Sequence, residues 1–498
     1  MDRTLVVLHL FTLILAVVLQ SAFGQAFDLK AHEAISLRSV DPSVAGGSSL
    51  DNFLRQQFGS EFPDGIGQRV KGKQVQQWIA LGSQEEDSPP QRVQQHFHDP
   101  TKDWNQAGLS TGGISSIIWA QLQNQDSGVG GGNHSWHDAR ESYFKALTGT
   151  DAAQRQQNWA DTFESLGHLI HLVQDAASPA HTRNDLHLSY KSVGDTDSLH
   201  VWGDGPGLDE VGNSSSVRYD SSILSLPQNN FAPIPIARIF DTEKLKGGNP
   251  SEGLDIGLAE YSNANFFSDD TIFSANYQTP AAIGLITEPN PLGVLKQYLY
   301  RHPGSPTTRY KLAVASTMSD SVTLPLLNQQ WELDDFVMKD YGTKLFPRAI
   351  GYSAGLIDYF FDGTVFNVLG HGWPENTTIV DRVRVDSVIY QDAPNQPSGT
   401  GTLTLVLYNM PDGVGPATGP YVSLPTTVTI IPVNIDDPVH NPLEVTFSFS
   451  SGLPVHDSNA DFFGYIVWRG PLARLGQGPQ VILEQDAVVA ATLSNSWN

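Results

Sequence analysis

Two histidines and an aspartate in one short stretch have the residue types and the spacing of zinc ligands. His171 and Asp175 are four residues apart, so in a helix both side chains project from the same face. Pro179 ends that helix, and His181 follows in the turn beyond it. Imidazoles and a carboxylate that converge at a helix end form a ligand set that zinc accepts. A core helix with hydrogen-bonded histidines is the alternative for any one residue, whereas the whole set favours a metal.

The segment HLVQDAASPAH, from His171 to His181, resembles the H-x3-D-x5-H signature of zinc-dependent phospholipases C and S1/P1-type nucleases. The spacing matches without a gap. In that superfamily a helix supplies the His and the Asp to a trinuclear zinc site, and the next His follows a proline. The resemblance therefore implies up to three Zn²⁺ ions and the hydrolysis of a phosphodiester.

Upstream of this signature the resemblance implies two more ligands. The segment HFHDP begins at His96 and is similar to the family's HF-x-D-P segment, whose first His binds zinc. His98 stands where the family often has an aromatic residue, and we expect it to support a ligand or to be exposed. Asp87 lies five residues after a glycine, as in the phospholipases, but its gap to His96 is shorter than theirs. Glu86 therefore stays open as the alternative.

The start of the mature chain is expected to supply a further site. The family begins with a Trp whose amine and carbonyl bind one zinc, and a His follows a few residues later. The nuclease branch places the two five residues apart, as Phe27 and His32 are here. Phenylalanine in place of tryptophan leaves the backbone ligand atoms unchanged. His32 could equally be a hydrogen-bonded surface histidine.

Downstream the family needs another His and a carboxylate four residues later. His200 and Asp204 supply this H-x3-D pattern, which resembles the nuclease variant, whereas the phospholipases usually have Glu. His187 competes for the same role, because a loop that folds back tightly could pair it with His200. Asp204 would then be a bystander. His168 is expected in the core or beside a ligand.

Carried over residue by residue, the resemblance implies three zinc ions. Their ligands would be Asp87, His96, His171 and Asp175 for the first, His181, His200 and Asp204 for the second, and Phe27, His32 and a shared Asp175 for the third. Asp87 would orient the attacking water or accept its proton. Histidine and carboxylate ligands without thiolate leave coordination positions open for water and substrate.

The elements that must position these residues are mostly helical as far as Asp362. Apolar residues recur three or four apart and predict helices over Asp151–Ala177, Lys311–Leu327 and Trp331–Phe361. Pro347 lies inside the last of these, so we expect a kink or a break there.

After Gly363 the pattern changes to short runs of β-branched and aromatic residues bounded by turn residues. Strands are predicted at Val383–Tyr390, Thr402–Tyr408, Thr427–Val433, Leu443–Phe449 and Phe463–Trp468. Such a series is typical of an antiparallel sandwich. The predicted fold class is multidomain. An all-α domain like the zinc-dependent phospholipase C/P1 nuclease fold covers residues 27–362, and an all-β antiparallel sandwich covers residues 363–498.

The chain has 498 residues, enough for two or three domains. Leu5–Leu19 is an apolar run too short for a membrane span and typical of a signal peptide, which we predict over residues 1–26. Cleavage after Gly24 also satisfies the small-residue rule, but only cleavage after Ala26 places Phe27 at the terminus. We expect a secreted protein, extracellular or periplasmic. The absence of cysteine excludes disulfides and thiolate zinc sites.

The net charge of −24 repels phosphate backbones at long range and counts against nucleic acid as the substrate. We therefore predict a phospholipase C that hydrolyses phospholipid head-group phosphodiesters by a zinc-activated hydroxide, ahead of a single-strand nuclease. A non-catalytic lipid-binding or adhesive protein with structural zinc is the third hypothesis. The expected partner is a phospholipid or membrane surface, with nucleic acid as the alternative, and no protein partner is evident.

The order of the two predicted domains is similar to that of secreted phospholipase C toxins, whose sandwich docks on membranes with calcium. The candidate Ca²⁺ ligands of the C-terminal domain are Asp436, Asp437, Asp457 and Asp461. Acidic loops are usually only solvated, so this prediction depends on the architectural similarity.

Overall fold

The computed structural model describes residues 29–186, 198–211, 217–227, 229–231, 234–247, 252–316, 330–362, 367–376, 379–388, 396–410, 422–430, 443–454, 461–474 and 481–492. The predicted signal peptide, Phe27 and His187 lie outside these ranges, as do three of the four candidate calcium ligands. No helix of the described ranges combines the length and the apolar character that a membrane crossing needs.

The described part of the chain up to residue 362 is mostly helical. Its α-helices are α1 Leu29–Val40, α2 Leu50–Gln57, α3 Val75–Glu85, α4 Ser116–Trp119, α5 Gln125–Val129, α6 Trp136–Thr148, α7 Ala152–Asp175, α8 Pro179–Thr182, α9 Ser198–Trp202, α10 Leu208–Val211, α11 Ala237–Phe240, α12 Leu258–Asn265 and α13 Asp335–Phe361.

Helix α7 is the element around which the candidate ligands gather. Its C-terminal half is buried on all sides, including the polar side chains of His171 and Asp175. Gly167 lets this half approach α3 closely, because a Cβ there would lie 2.2 Å from the carbonyl oxygen of Ile79. The helix ends at Asp175, and Pro179 begins the short helix α8 that carries His181. The prediction of a long helix followed by a proline stop is confirmed.

The described residues form two compact units, each assembled from separated parts of the chain. The first takes the described residues of Met1–Gly47, Ile79–Ser135 and Leu166–Leu356. Besides helices it contains an antiparallel sheet in the order β3-β4-β5-β6. The strands are β3 Ile283–Pro289, β4 Leu295–Arg301, β5 Tyr310–Ala315 and β6 Trp331–Glu332.

This sheet corrects two helix predictions. The helix expected from Lys311 is wrong, because residues 310–315 form strand β5. The apolar run there is short and buried, and periodicity cannot separate strand from helix in such a run. Residues 331–332 are also strand, and the predicted last helix begins at Asp335. It then continues through Pro347 without a break, and the two residues before the proline, Leu345 and Phe346, are buried in the core.

The second unit takes the described residues of Ser48–Trp78, Trp136–Ser165 and Ile357–Asn498, and it contains the antiparallel sheets predicted after residue 363. Its strands are a small hairpin, β1 Arg69–Val70 with β2 Lys73–Gln74, and then β7 Asn367–Asn376, β8 Ile379–Val388, β9 Gln396–Pro397, β10 Gly399–Met410, β11 Val422–Ile430, β12 Leu443–Pro454, β13 Asp461–Arg474 and β14 Val481–Thr492. One of the large sheets has the order β11-β10-β13-β14, with β9 paired to β13. The other has the order β12-β8-β7.

The burial of side chains shows how these sheets pack. Val445 and Phe447 of β12 are buried while Thr446 and Ser448 between and after them are exposed, the alternation of a sheet covered on one face. Helix α6 attaches to β14 through a buried ion pair, in which Arg140 meets Glu484 at 3.0 Å (Nε to Oε1) and 3.1 Å (Nη2 to Oε2). The predicted class, a helical region followed by antiparallel sheets, is therefore the observed one. The domain boundary near residue 363 stays a prediction.

Candidate metal centre

Five candidate ligands lie together in the first unit, and all five side chains are buried. His171 and Asp175 come from successive turns of α7, and His32 comes from α1. Asp87 follows the end of α3, and His96 follows a short 3₁₀ turn at Val93–Gln95. Residues distant in sequence thus converge around one end of α7.

Asp175 lies at the centre of this cluster. Its Oδ2 is 2.9 Å from Nδ1 of His96 and 3.1 Å from Nε2 of His171, and its Oδ1 is 3.5 Å from Nε2 of His32. Oδ1 of Asp87 lies 3.6 Å from Nε2 of His171. Two overlapping groups result, His32–Asp87–His171 and His96–His171–Asp175, and within each group the ligand atoms lie within 4.8 Å of one another.

Hydrogen bonds on the outer side hold two of these imidazoles in place. Nδ1 of His171 donates to the carbonyl oxygen of Ser83 at 2.6 Å, so its Nε2 faces the carboxylates without a proton when the ring is neutral. Nδ1 of His32 lies 2.6 Å from Oε1 of Gln174, whose amide nitrogen donates to Ser36. Histidines that bind metals are typically oriented in this way.

The two carboxylates contact imidazoles but form no regular hydrogen bonds. Neither oxygen of Asp87 and neither oxygen of Asp175 accepts a hydrogen bond of regular geometry from the described residues. Buried carboxylates in native proteins are paired or bind metals, because a lone buried charge is costly. The donor set of histidine and carboxylate, with its open carboxylate oxygens, therefore fits a divalent metal.

The protonation of the metal-free cluster reflects the same competition between burial and charge. Burial raises the pKa of Asp87 to about 6, against the opposing charges of His171 and His96. Burial also opposes ionisation of Asp175, yet its imidazole neighbours, His171 first and then His181, hold its pKa well below the usual range. The imidazoles respond in the opposite direction: against burial, the hydrogen bond to Asp175 raises the pKa of His96 to about 10, and the charge of Asp175 raises the pKa of His171. In the metal-free protein a protonated His96 therefore offsets part of the carboxylate charge, and a bound metal would displace that proton.

Glu86, the alternative to Asp87, is occupied elsewhere. Its carboxylate accepts hydrogen bonds from Arg92 at 2.6 Å and from the indole of Trp119 at 2.7 Å, and it lies 2.5 Å from Nδ1 of His168. Burial opposes its ionisation, but the guanidinium of Arg92 holds the pKa of Glu86 well below its usual range. His134 stacks on His168 with ring centroids 3.7 Å apart. Sequence reasoning missed Arg92, Trp119 and His134, because no local spacing connects them to the signature.

His98 is buried and hydrogen-bonded rather than exposed. Its Nδ1 lies 2.7 Å from the hydroxyl of Ser115, and its Nε2 lies 3.0 Å from a carboxylate oxygen of Asp241. The indole of Trp104 donates to the same oxygen. Both ring nitrogens of His98 are thus engaged outside the cluster.

His181 lies beside the cluster and outside both three-residue groups. Its ring is buried, stacks on Phe97 with centroids 4.5 Å apart, and has its centroid 6.4 Å from that of His96. Its charge is one of those that lower the pKa of Asp175.

The remaining predicted ligands are described in part. Oδ1 of Asp204 accepts a hydrogen bond of 3.2 Å from the backbone nitrogen of Ala31, in the first turn of α1 and next to His32. A carboxylate is favourable at a helix N-terminus. The backbone of His200 belongs to α9, but its side chain lies outside the described part, together with Phe27 and His187.

Comparison with known proteins gives several distant structural similarities. No family model matches the chain, and no curated protein matches it. An alpha toxin from Clostridium absonum is 10% identical with a TM-score of 0.31, and the alignment covers 94% of this chain and 98% of the toxin. An alpha-toxin of Clostridium perfringens from the avian strain SWCP is 11% identical with a TM-score of 0.26 at the same coverage. Similarity at this level assigns no family, so the functional argument depends on the cluster itself.

Proposed function

We propose that this protein is a secreted zinc-dependent phosphodiesterase, and specifically a phospholipase C that cleaves phospholipid head-group phosphodiesters. One observation carries the proposal: five buried histidines and aspartates converge, and both oxygens of Asp87 and of Asp175 lack a regular hydrogen bond from the described residues. Oδ2 of Asp175 and Oδ1 of Asp87 lie 2.9 to 3.6 Å from imidazole nitrogens, and a bound metal would use these oxygens and nitrogens together as ligands.

The proposed ligand sets follow the resemblance stated above. The first zinc would be held by Asp87, His96, His171 and Asp175, and the other two by His181, His200 and Asp204 and by Phe27, His32 and Asp175. The described contacts support the first set most directly. Oδ2 of Asp175 and Nε2 of His171 lie 3.1 Å apart, with Nδ1 of His96 2.9 Å from the former and Oδ1 of Asp87 3.6 Å from the latter. The hydrogen bond from Ala31 to Asp204 also brings the second set's carboxylate to the helix of His32.

The chain's own residues define what the site can do. When bound, zinc supplies Lewis-acid activation of water near neutral pH and offsets the charge of a phosphodiester. Ser83 and Gln174 keep the rings of His171 and His32 oriented toward the carboxylates. Asp87 is the carboxylate we assign to orienting the water or accepting its proton, since its oxygens have no other donor among the described residues.

A phospholipid is favoured over nucleic acid because of charge. With 53 acidic and 29 basic residues, the protein repels a polyanion that approaches from solution, and a zwitterionic phospholipid carries no such net charge. A binding protein with purely structural zinc would need closed coordination by four protein ligands, whereas the proposed set of His181, His200 and Asp204 has three and leaves one position for water.

The test is hydrolysis of short-chain phosphatidylcholine and of single-stranded DNA by the secreted protein. Each reaction should be followed before chelation, after chelation, and after zinc is restored. We expect chelator-sensitive, zinc-restored release of phosphocholine. Chelator-sensitive cleavage of DNA without phosphocholine release would make the nuclease the correct assignment, and binding of zinc without either reaction would support the non-catalytic hypothesis.

A further inference from the structure

The turn between β3 and β4 exposes a concentrated set of apolar side chains. In this segment, residues 289–295 with the sequence PNPLGVL, Leu292 is 79% exposed, Leu295 66% and Val294 51%. Most large apolar side chains of the described residues are buried, so three neighbours this exposed need a reason. We call residues 289–295 the hairpin tip.

The backbone amide hydrogens of the hairpin tip form hydrogen bonds within the turn. Asn290 organises it: its backbone nitrogen donates to the carbonyl of Val294 at 2.8 Å, and its own carbonyl accepts from Gly293 at 2.8 Å. The side-chain oxygen of Asn290 accepts from the nitrogens of Leu292 at 3.0 Å and Val294 at 2.9 Å. The two prolines have no amide hydrogen. From 289 to 294, every amide hydrogen is therefore satisfied within the turn.

This property distinguishes lipid from other occupants. In hydrocarbon each unpaired backbone group costs free energy, so an inserted segment must satisfy its own donors. A protein partner that adds a strand would pair with the free edge of β3 and not with the hairpin tip. A hairpin tip with exposed leucines, whose backbone amide groups are already hydrogen-bonded, has the chemistry of a segment that enters a lipid surface.

The charge of the region agrees with this occupant. The hairpin tip has no charged residue, although the whole chain carries −24. Glu288, just before it, lies within 3.8 Å of Arg309 and 3.7 Å of Lys311, so the nearest carboxylate is balanced by cations. A neutral apolar tip fits a zwitterionic phospholipid surface, and the net charge of the whole chain, rather than the residues next to the tip, opposes an anionic surface.

The hairpin tip also borders a cavity of about 840 Å³ in the same unit. Pro289 and Pro291 line it, together with Phe336 of α13. Trp202 and Gly205, which flank Asp204 closely in sequence, line it as well. The cavity therefore connects the hairpin tip with the segment that carries one of the proposed zinc ligands.

We propose that the hairpin tip inserts into the interface of a zwitterionic phospholipid surface and brings that surface to the mouth of this cavity. The cavity's role as the route of a phospholipid toward the metal centre rests on the proposed function. The insertion itself rests only on the exposure, the hydrogen bonds and the charge of the hairpin tip.

The test measures sedimentation of the full secreted chain with phosphatidylcholine vesicles. Leu292→Asp should lower the partition coefficient by at least about tenfold, since an exposed leucine contributes its burial in lipid and an aspartate opposes it. The matched control is Phe231→Asp, which introduces the same charge at a side chain 51% exposed elsewhere in the unit. It should bind like the wild type, and thermal unfolding of both variants should match the wild type because both positions are exposed.

A second variant gives an independent readout. The tryptophan of Leu292→Trp should shift its emission to shorter wavelength when vesicles are added, and brominated phosphatidylcholine should quench it. Equal vesicle binding by wild type and Leu292→Asp, or unchanged emission of Leu292→Trp, would overturn the proposal. A wild-type dimer that Leu292→Asp converts to a monomer, with vesicle binding retained, would assign the hairpin tip to a second copy of the chain.

Hydrolysis of monomeric short-chain phosphatidylcholine separates this proposal from the proposed function. If the hairpin variants bind vesicles like the wild type and monomer hydrolysis is intact, the insertion proposal is wrong and the enzymatic proposal stands. If the wild type binds vesicles through the hairpin tip but does not hydrolyse monomers, the insertion proposal stands and the enzymatic proposal is wrong.

Discussion

Replacing Asp175 with asparagine is a sensitive test of metal binding by the cluster, because this side chain contacts three of the cluster's imidazoles. Oδ2 lies 2.9 Å from His96 and 3.1 Å from His171, and Oδ1 lies 3.5 Å from His32. Loss of a residue that only orients a ligand typically weakens metal affinity by about 10–100-fold. Loss of a direct, charged ligand should therefore weaken zinc affinity by at least about 100-fold.

This loss has a calculable effect on stability. Zinc at 100 times its dissociation constant stabilises the folded protein by about 2.7 kcal/mol. If the dissociation constant rises 100-fold at the same zinc concentration, the stabilisation falls to about 0.4 kcal/mol. Asp175→Asn should thus lose most of the zinc-dependent increase in unfolding temperature, together with hydrolysis.

The assay is thermal unfolding across a zinc titration, with elemental analysis of the dialysed protein. Asp241→Asn is the matched control, since Asp241 is also a buried aspartate that contacts a histidine, His98, but lies outside both metal groups. The control should lower stability at every zinc concentration and keep the full zinc-dependent increment. An undiminished increment in Asp175→Asn would refute the reasoning.

Three further predictions concern the surroundings of the cluster. His200→Ala should cost far more hydrolysis than His187→Ala, since a lost metal ligand exceeds the roughly 10–100-fold of an orienting residue; equal, severe losses in the initial rates would favour the pairing of His187 with His200. Arg92→Met should lower the free energy of unfolding by about 3–5 kcal/mol, because it leaves Glu86 buried without its cation, while zinc content stays unchanged; urea unfolding measures this, and a change below about 1 kcal/mol would contradict it. His134 has its pKa lowered from 6.5 to about 3, first by burial and then by His168, so the unfolded chain protonates first as pH falls below 6.5. The stability contribution of neutral His134 is therefore present above that pH and should decline by about 2 kcal/mol between pH 7 and pH 5. His134→Gln should remove this part of the pH dependence in urea unfolding, and an identical pH profile in the two proteins would count against it.

The local features of the fold were predictable from the sequence because they depend on neighbouring residues. Five strands of the C-terminal sheets were predicted, and β-branched alternation is a local signal. Strand β14 was missed, since the polar run from Glu484 to Asp486 divides its β-branched residues into two short groups. Glu484 is tolerated there because Arg140 of α6 meets it, a contact that no local pattern shows.

The candidate site also has features that the sequence predicted and features that only the structure shows. The spacing of His171 and Asp175 predicted a shared helical face, and the structure places both on α7. The sequence did not decide whether Glu86 or Asp87 is the metal ligand, because the two carboxylates are adjacent and only the folded structure shows which residues contact each of them. Arg92 and Trp119 reach Glu86, whereas no described donor reaches Asp87. Likewise, Pro347 did not end α13, since burial of the surrounding helix outweighs one missing hydrogen bond.

The central claim is that zinc binds where Asp175, His171 and His96 converge. Crystals of the protein, with data collected on both sides of the zinc absorption edge, test it directly. We predict an anomalous difference peak in contact with Nε2 of His171 and a carboxylate oxygen of Asp175, in protein that hydrolyses phosphatidylcholine. Fully active protein with no zinc peak at these atoms would contradict the account.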